Sequence, residues 1–258
     1  MTVSRLSTTL VLIILAVTGC GGSSSSSGSS SMPPVSSGMA RVRYADGAPE
    51  LQALINGASS TICAGASVSC YLQVDGQTVA TQFYYGSMTQ FLFVTPGTLS
   101  LTALDDLGYR VGPLKSATLA AGKAYTLIVV GSYPNYRVLT FEEPASQKGN
   151  AQLSLYEASP TTPKAGFGSF TASSHSNFKQ LGSATLGTVA TVSPGAQVSN
   201  FGGYVGQRST KYAEITPKGI DSFDKHDDLP FHNASRLSLF FYDQASGGQA
   251  RVFGSLDR

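Results

Sequence analysis

The stretch Tyr71-Leu72-Gln73-Val74-Asp75-Gly76-Gln77-Thr78-Val79-Ala80 decides the fold class. Two short runs of strand-forming residues flank an Asp-Gly pair, and this pair favours the positive φ angles that a tight hairpin turn requires. Comparable runs lie at residues 40–45, 91–94, 99–104, 123–130 and 136–141, with turn residues between them. About seven short strands at this spacing are typical of a β-sandwich. We therefore predict an all-β domain over residues 40–143.

The small fraction of charged residues and the small net charge limit the classes of protein to which the chain can belong. Charged residues make up 12% of the 258 residues, and the formal net charge is +2. This balance gives no attraction to the phosphates of nucleic acid, so no nucleic-acid partner is predicted. Low charge with abundant glycine and aromatic residues is typical of exported β-rich proteins and does not indicate a cytosolic helical enzyme.

The N-terminus carries an export signal, predicted to span residues 1–19. One positive charge, Arg5, precedes an apolar stretch at residues 6–17 that is short for a membrane span. An uncleaved anchor and an ordinary signal peptide are the alternatives. Val17-Thr18-Gly19-Cys20 argues against both, because small residues leading directly into a cysteine resemble the bacterial lipobox. That resemblance implies a diacylglyceryl group on the Cys20 thiol, cleavage before Cys20 and acylation of the new amine.

Residues 20–39 are predicted to be a flexible tether between the lipid and the folded part. Residues 23–31 are almost all serine, and such a run cannot bury apolar surface. Gly21 stands where many lipoproteins carry the aspartate that retains them at the inner membrane. We therefore expect the chain in the bacterial cell envelope, lipid-anchored at the outer membrane and facing either the periplasm or the outside.

The first half resembles a known family. Arg41-Val42-Arg43-Tyr44-Ala45 before Ala48-Pro49 looks like the opening strand of that family, and residues 71–76 look like its hairpin. Later landmarks follow in order at residues 85–86, 94–98 and 121–126. The family is the bacterial domain-of-unknown-function 4397, found in secreted and surface-anchored proteins, and the resemblance covers residues 40–142. It implies an immunoglobulin-like or related β-sandwich, and no activity is established for the family.

Residues 150–258 look like a diverged second copy. The run at 151–160 mirrors the opening strand, Val192-Ser193-Pro194-Gly195 mirrors Val94-Thr95-Pro96-Gly97, and the aromatic run at 236–242 takes the place of 123–130. We therefore predict two tandem immunoglobulin-like β-sandwich domains, at 40–143 and 150–258, behind the signal peptide and the disordered serine-rich linker. One larger β-domain is the alternative.

Cys63 and Cys70 lie seven positions apart around a small glycine-containing loop. The predicted export places them in an oxidising compartment, which favours a disulfide between them. A metal or redox pair is the alternative. It is disfavoured because the spacing is not C-x-x-C and no histidine lies nearby in sequence.

The motifs of common catalytic sites are absent from the sequence. His175, within Ser173-Ser174-His175-Ser176, is predicted to lie in a solvated loop. The densest polar stretch contains possible ligands for Ca²⁺ or a transition metal, namely Asp221, Asp224, His226, Asp227 and Asp228, followed by His232. Its spacing does not fit an EF-hand, and we interpret it as a solvated loop. No metal, nucleotide, flavin or haem is predicted.

Tyrosines near strand ends suggest a ligand surface. The candidates are Tyr84, Tyr85, Tyr133 and Tyr136, whose rings suit stacking on sugars or contact with a protein. Packing of these rings against the core is the alternative. We expect a noncatalytic envelope lipoprotein that presents β-sandwich modules to an unknown protein or glycan in adhesion, assembly or scaffolding. The alternatives are a carbohydrate-binding module and a hydrolase that uses the Asp221–His232 region.

Overall fold

The structure, a computed structural model, describes residues 38–49, 51, 70–105, 110–145, 152–161, 164–171, 174–192, 203–207, 214–215, 217–218, 236–243 and 251–257. The strands of the first half are β1 (Ala40–Asp46), β2 (Cys70–Val74), β3 (Gln77–Ala80), β4 (Leu92–Val94), β5 (Gly97–Asp105), β6 (Arg110–Leu119), β7 (Ala124–Val130) and β8 (Arg137–Glu142). Those of the second half are β9 (Gln152–Glu157), β10 (Lys164–Thr171), β11 (Ser174–Thr185), β12 (Val189–Val192), β13 (Gly203–Gln207), β14 (Glu214–Ile215), β15 (Pro217–Lys218), β16 (Arg236–Tyr242) and β17 (Arg251–Asp257).

This strand content confirms the all-β fold class. Strand β11 includes His175, so the loop predicted around that residue is wrong. No helix among the described residues is both long enough and apolar enough to cross a membrane.

The first half forms two sheets that enclose a core. Sheet A has the order β4-β1-β7-β8, with β1 parallel to β7, and sheet B has the order β3-β2-β5-β6. Alternate residues of β1, Val42 and Tyr44, point into the core and meet Leu72 and Leu101 of sheet B. Period-two alternation places such residues on one face of a strand, which is why the sequence pattern predicts a sandwich.

The predicted Asp-Gly turn joins β2 to β3. Asp75 has a φ of 49° and Gly76 a φ of 81°, so both residues adopt the positive values that a two-residue hairpin needs. The Ser100 N–H donates to Asp75 Oδ1 (2.9 Å), which ties the turn to β5. This part of the prediction is confirmed.

The second half repeats the strand pairing of the first. Sheet C has the order β12-β9-β16-β17-β15, with β9 parallel to β16, and sheet D has the order β11-β10-β13-β14. Strands β9, β12, β16 and β17 therefore pair as β1, β4, β7 and β8 do, and β10, β11, β13 and β14 pair as β2, β3, β5 and β6 do. Such a correspondence is expected of a diverged second copy. The two-domain assignment and its boundaries stay a prediction.

Sheets A and C pack face to face through a buried layer, here called the joint. Its apolar members are Ala45, Ile128, Val130 and Phe141 of the first half and Tyr156, Ala158, Phe240 and Tyr242 of the second. The Tyr156 ring stacks on the Phe240 ring with centroids 4.5 Å apart and meets Phe141 edge-on at 5.6 Å. Sheet A is therefore covered on both faces, by sheet B and by sheet C.

Candidate functional site

Several predicted site residues lie outside the described part of the chain. These are the lipidation residue Cys20, the predicted disulfide partner Cys63, and the polar stretch with Asp221, Asp224, His226, Asp227, Asp228 and His232. Cys70 opens β2 and is buried. Within the described ranges, no group of three or more His, Cys, Asp or Glu side chains is placed to hold a metal ion. The lipid anchor, the disulfide and the character of the polar stretch stay predictions.

The four tyrosines of the predicted ligand surface have different environments. Tyr85 belongs to the joint: its ring centroid lies 6.3 Å from that of Tyr242, and its hydroxyl donates to the Asp243 carbonyl oxygen (2.5 Å). Tyr136 packs against the core between sheets A and B. Tyr84 is 44% exposed and Tyr133 is 68% exposed. The exposed part of the predicted surface is therefore Tyr84 and Tyr133.

These two tyrosines lie at the same end of sheet A. Because β1 and β7 are parallel, their carboxyl ends meet at one edge, with Asp46 opposite Val129. The turn containing Tyr84 is fixed to that edge by the Gly86 N–H, which donates to the Asp46 carbonyl oxygen (2.8 Å). Tyr133 lies between β7 and β8, directly beyond the same edge. We call residues 81–91 and 131–136 together the tyrosine end.

A buried ion network crosses the joint. Arg43 Nη2 donates to Glu143 Oε1 (3.1 Å), and Arg236 Nη2 contacts Glu143 Oε2 closely. The hydroxyl of Tyr156 donates to Glu143 Oε2 (2.7 Å), and that of Thr126 donates to Oε1. Arg43 also lies 5.2 Å from the centre of the Phe240 ring. One carboxylate thus connects sheet A to sheet C.

The environment of Glu143 makes it a structural group. Burial raises the pKa of its carboxyl, but the guanidinium groups of Arg43 and Arg236 and the hydroxyls of Thr126 and Tyr156 oppose this and hold the pKa below its usual value. Both oxygens are engaged by cations and hydroxyls, so the carboxylate has no exposed face for acid or base chemistry. Its role is to hold the joint together.

Two further buried carboxyl groups, those of Asp46 and Glu157, lie at the C-terminal ends of the equivalent strands β1 and β9. Asp46 Oδ1 accepts from the Ala48 N–H (2.8 Å), and Glu157 Oε1 accepts from the Ser159 N–H (2.9 Å). The second oxygen of each is buried and has no hydrogen-bond partner among the described residues. Burial therefore raises the pKa of Asp46 to about 8 and that of Glu157 to about 9.

These two carboxyl groups were not predicted from the sequence, although the sequence contains a signal for them. Asp46-Gly47-Ala48-Pro49 and Glu157-Ala158-Ser159-Pro160 both place an acid three residues before a proline at the end of a strand. The backbone contacts are also equivalent, because the N–H after each acid donates to the neighbouring parallel strand, at Val129 and Phe241 respectively. A pair of matching strand ends of this kind supports the second-copy hypothesis.

Comparison with known proteins agrees with the sequence resemblance over part of the chain. The family model "Domain of unknown function (DUF4397)" matches residues 61–165. The matched range begins after the predicted start at residue 40 and extends past the predicted end at residue 142 into β10. No curated protein matches the chain.

A solved structure is also similar to the chain. It is the crystal structure of a candidate cell adhesion protein from Bacteroides uniformis, with 11% sequence identity and a TM-score of 0.25. The similarity covers 85% of this chain and 98% of the other. At this TM-score the likeness carries no argument about function. The family resemblance therefore rests on the match to the DUF4397 family model, which covers residues 61–165.

Proposed function

We propose that this chain is a noncatalytic lipoprotein of the bacterial outer membrane that presents β-sandwich modules to a protein or glycan partner. Lipid on Cys20 holds the protein at the membrane, and residues 20–39 let the folded part search the space near it. The role is one of adhesion, assembly or scaffolding.

The proposal rests on the contrast between the buried charges of the joint and the exposed rings of the tyrosine end. The charged groups Arg43, Glu143 and Arg236 are buried and bind one another, so they serve to fix sheet A against sheet C. The exposed rings of Tyr84 and Tyr133 lie instead at one end of the same sheet. Exposed aromatic side chains held by loops on a rigid scaffold are a common form of recognition surface.

Attachment of whole cells tests the proposal. Cells that lack the chain are complemented with the wild type, with Cys20→Ser or with the double variant Tyr84→Ala/Tyr133→Ala. Each strain is then applied to surfaces coated with the extracellular polysaccharide or the surface proteins of the producing bacterium. We expect the wild type to restore attachment and the two variants to fail. Equal attachment by all strains, including the one without the chain, would contradict the proposal.

A further inference from the structure

The exposed side chains of the tyrosine end are uncharged. Neither residues 81–91 nor residues 131–136 contain Asp, Glu, Lys, Arg or His, and the nearest exposed charge in sequence is Arg137, the first residue of β8. The exposed residues are Thr81, Gln82, Tyr84, Gln90, Ser132, Tyr133, Pro134 and Asn135. This surface offers aromatic faces, amides and hydroxyls.

Backbone hydrogen bonds fix both turns of the tyrosine end. The Tyr84 N–H donates to Ser87 Oγ (2.9 Å), and the Ser87 N–H donates back to the Tyr84 carbonyl oxygen (2.7 Å). The neighbouring Tyr85 is anchored in the joint. In the other loop the Asn135 N–H donates to the Ser132 carbonyl oxygen (2.6 Å) across Tyr133. Because these turns are already ordered, binding a ligand costs less conformational entropy.

The two turns lie two strand positions apart along sheet A. The turn with Tyr84 leads to β4 and the loop with Tyr133 follows β7, while β1 lies between these strands. Two strand spacings correspond to roughly 10 Å. The spacing suits an extended ligand that contacts both turns.

We propose that the tyrosine end binds an uncharged glycan, with Tyr84 and Tyr133 stacked on sugar rings and the neighbouring amides and hydroxyls bonded to sugar hydroxyls. This inference rests on the proposed function and names its ligand class. Sugar rings combine an apolar face with hydroxyls, which matches tyrosine beside amide and hydroxyl groups. An acidic polysaccharide is recognised through arginine or lysine, and these loops contain neither. Tyrosine is also common at protein interfaces, together with tryptophan and arginine, but the exposed residues of these loops contain neither tryptophan nor arginine.

The second half supplies a matched control for Tyr84. The Thr185 N–H donates to Thr188 Oγ1 (3.0 Å), the Thr188 N–H donates to the Thr185 carbonyl oxygen (2.8 Å), and the Gly187 N–H donates to the Glu157 carbonyl oxygen (2.9 Å). These bonds reproduce the turn at residues 84–87 with Thr185 in the place of Tyr84. Phe93 is a second control, because it is 49% exposed on β4 but lies outside the tyrosine end.

Calorimetric titration tests the inference with the lipidated protein in a detergent that carries no sugar. The ligands are the hexasaccharides of β-1,4-glucose, α-1,4-glucose and α-1,6-mannose, and an acidic hexagalacturonate. We expect at least one neutral hexasaccharide to bind with an affinity that salt does not change. Tyr84→Ala and Tyr133→Ala should each weaken binding roughly tenfold, the scale of one lost aromatic contact. Thr185→Ala and Phe93→Ala should bind as the wild type does.

Three results would overturn the inference: no neutral hexasaccharide binds at millimolar concentration, hexagalacturonate binds better in a salt-sensitive manner, or the control variants weaken binding as much as the tyrosine variants do. Thermal unfolding of each variant confirms that it is folded. If no neutral glycan binds but cell attachment still depends on Tyr84 and Tyr133, the proposed function stands and the ligand class is wrong. If attachment does not depend on the chain at all, the proposed function itself fails.

Discussion

Replacement of Glu143 by glutamine tests whether the ion network holds the joint together. Glu143→Gln removes a negative charge shared by Arg43 and Arg236, whose side chains are almost completely buried. The amide keeps the volume of the carboxyl and one hydrogen-bond acceptor. Two guanidinium groups are then left near each other without the carboxylate between them.

The expected loss of stability is large. Removing one partner from a buried ion pair costs about 3–5 kcal/mol, because the other charge stays buried without compensation. Since the amide still accepts a hydrogen bond, we expect a loss near the lower end, about 3 kcal/mol. A folded domain has about 5–15 kcal/mol in total, so this change is easily measured.

Urea unfolding of the wild type and of two neighbouring variants provides the measurement. Glu142→Gln is the matched control, because Glu142 is exposed and pairs with Lys123 at the surface (2.7 Å). We expect its unfolding midpoint to stay close to that of the wild type, while that of Glu143→Gln falls steeply. Equal midpoints for the two variants would refute the assignment of Glu143 to the joint.

The buried carboxyls and the close packing of the joint lead to further expectations. The folded pKa of Asp46 is raised from 3.8 to about 8, so its contribution to stability is complete below the lower value and is lost as the pH rises to the upper one. In urea unfolding, Asp46→Asn should remove this pH-dependent loss in the free energy of unfolding, which is at most about 1.4 kcal/mol per pH unit in the wild type. Gly47→Ala places a Cβ 2.8 Å from Tyr242 Cδ1 and should cost about 1–3 kcal/mol in the same assay. Tyr85→Phe leaves the Asp243 carbonyl oxygen without its donor and should cost about 1 kcal/mol, whereas the exposed Tyr84→Phe should cost nothing measurable.

Local features of the fold could be predicted from the sequence. The Asp75-Gly76 turn depends only on two residues that tolerate positive φ, and it forms as predicted. The strand positions follow from short apolar runs between turn residues. Pairing between distant strands could not be predicted, because parallel partners such as β1 and β7 are brought together only by the complete fold. For the same reason the sequence does not reveal that β4 and β5, joined by a short turn, belong to different sheets.

The joint illustrates why burial is harder to predict than strand position. Arg41 and Arg43 alternate with apolar residues in β1, a pattern that is typical of a strand with one face in water. Every residue of β1 is nevertheless buried, because sheet C covers that face and Glu143, 100 residues away, pairs with Arg43. The neighbours Tyr84 and Tyr85 show the same difficulty, because both lie in the turn at residues 84–87, yet one ring is exposed and the other packs in the joint.

Fractionation of cells that express the wild type or Cys20→Ser tests most directly whether the protein is displayed from a lipid anchor. We expect the wild type in the outer-membrane fraction, with an N-terminal peptide that begins at Cys20 and carries the added mass of acyl chains. We expect Cys20→Ser to be lost from that fraction. Equal retention of both forms, with an unmodified Cys20 in the wild type, would contradict display from a lipid anchor.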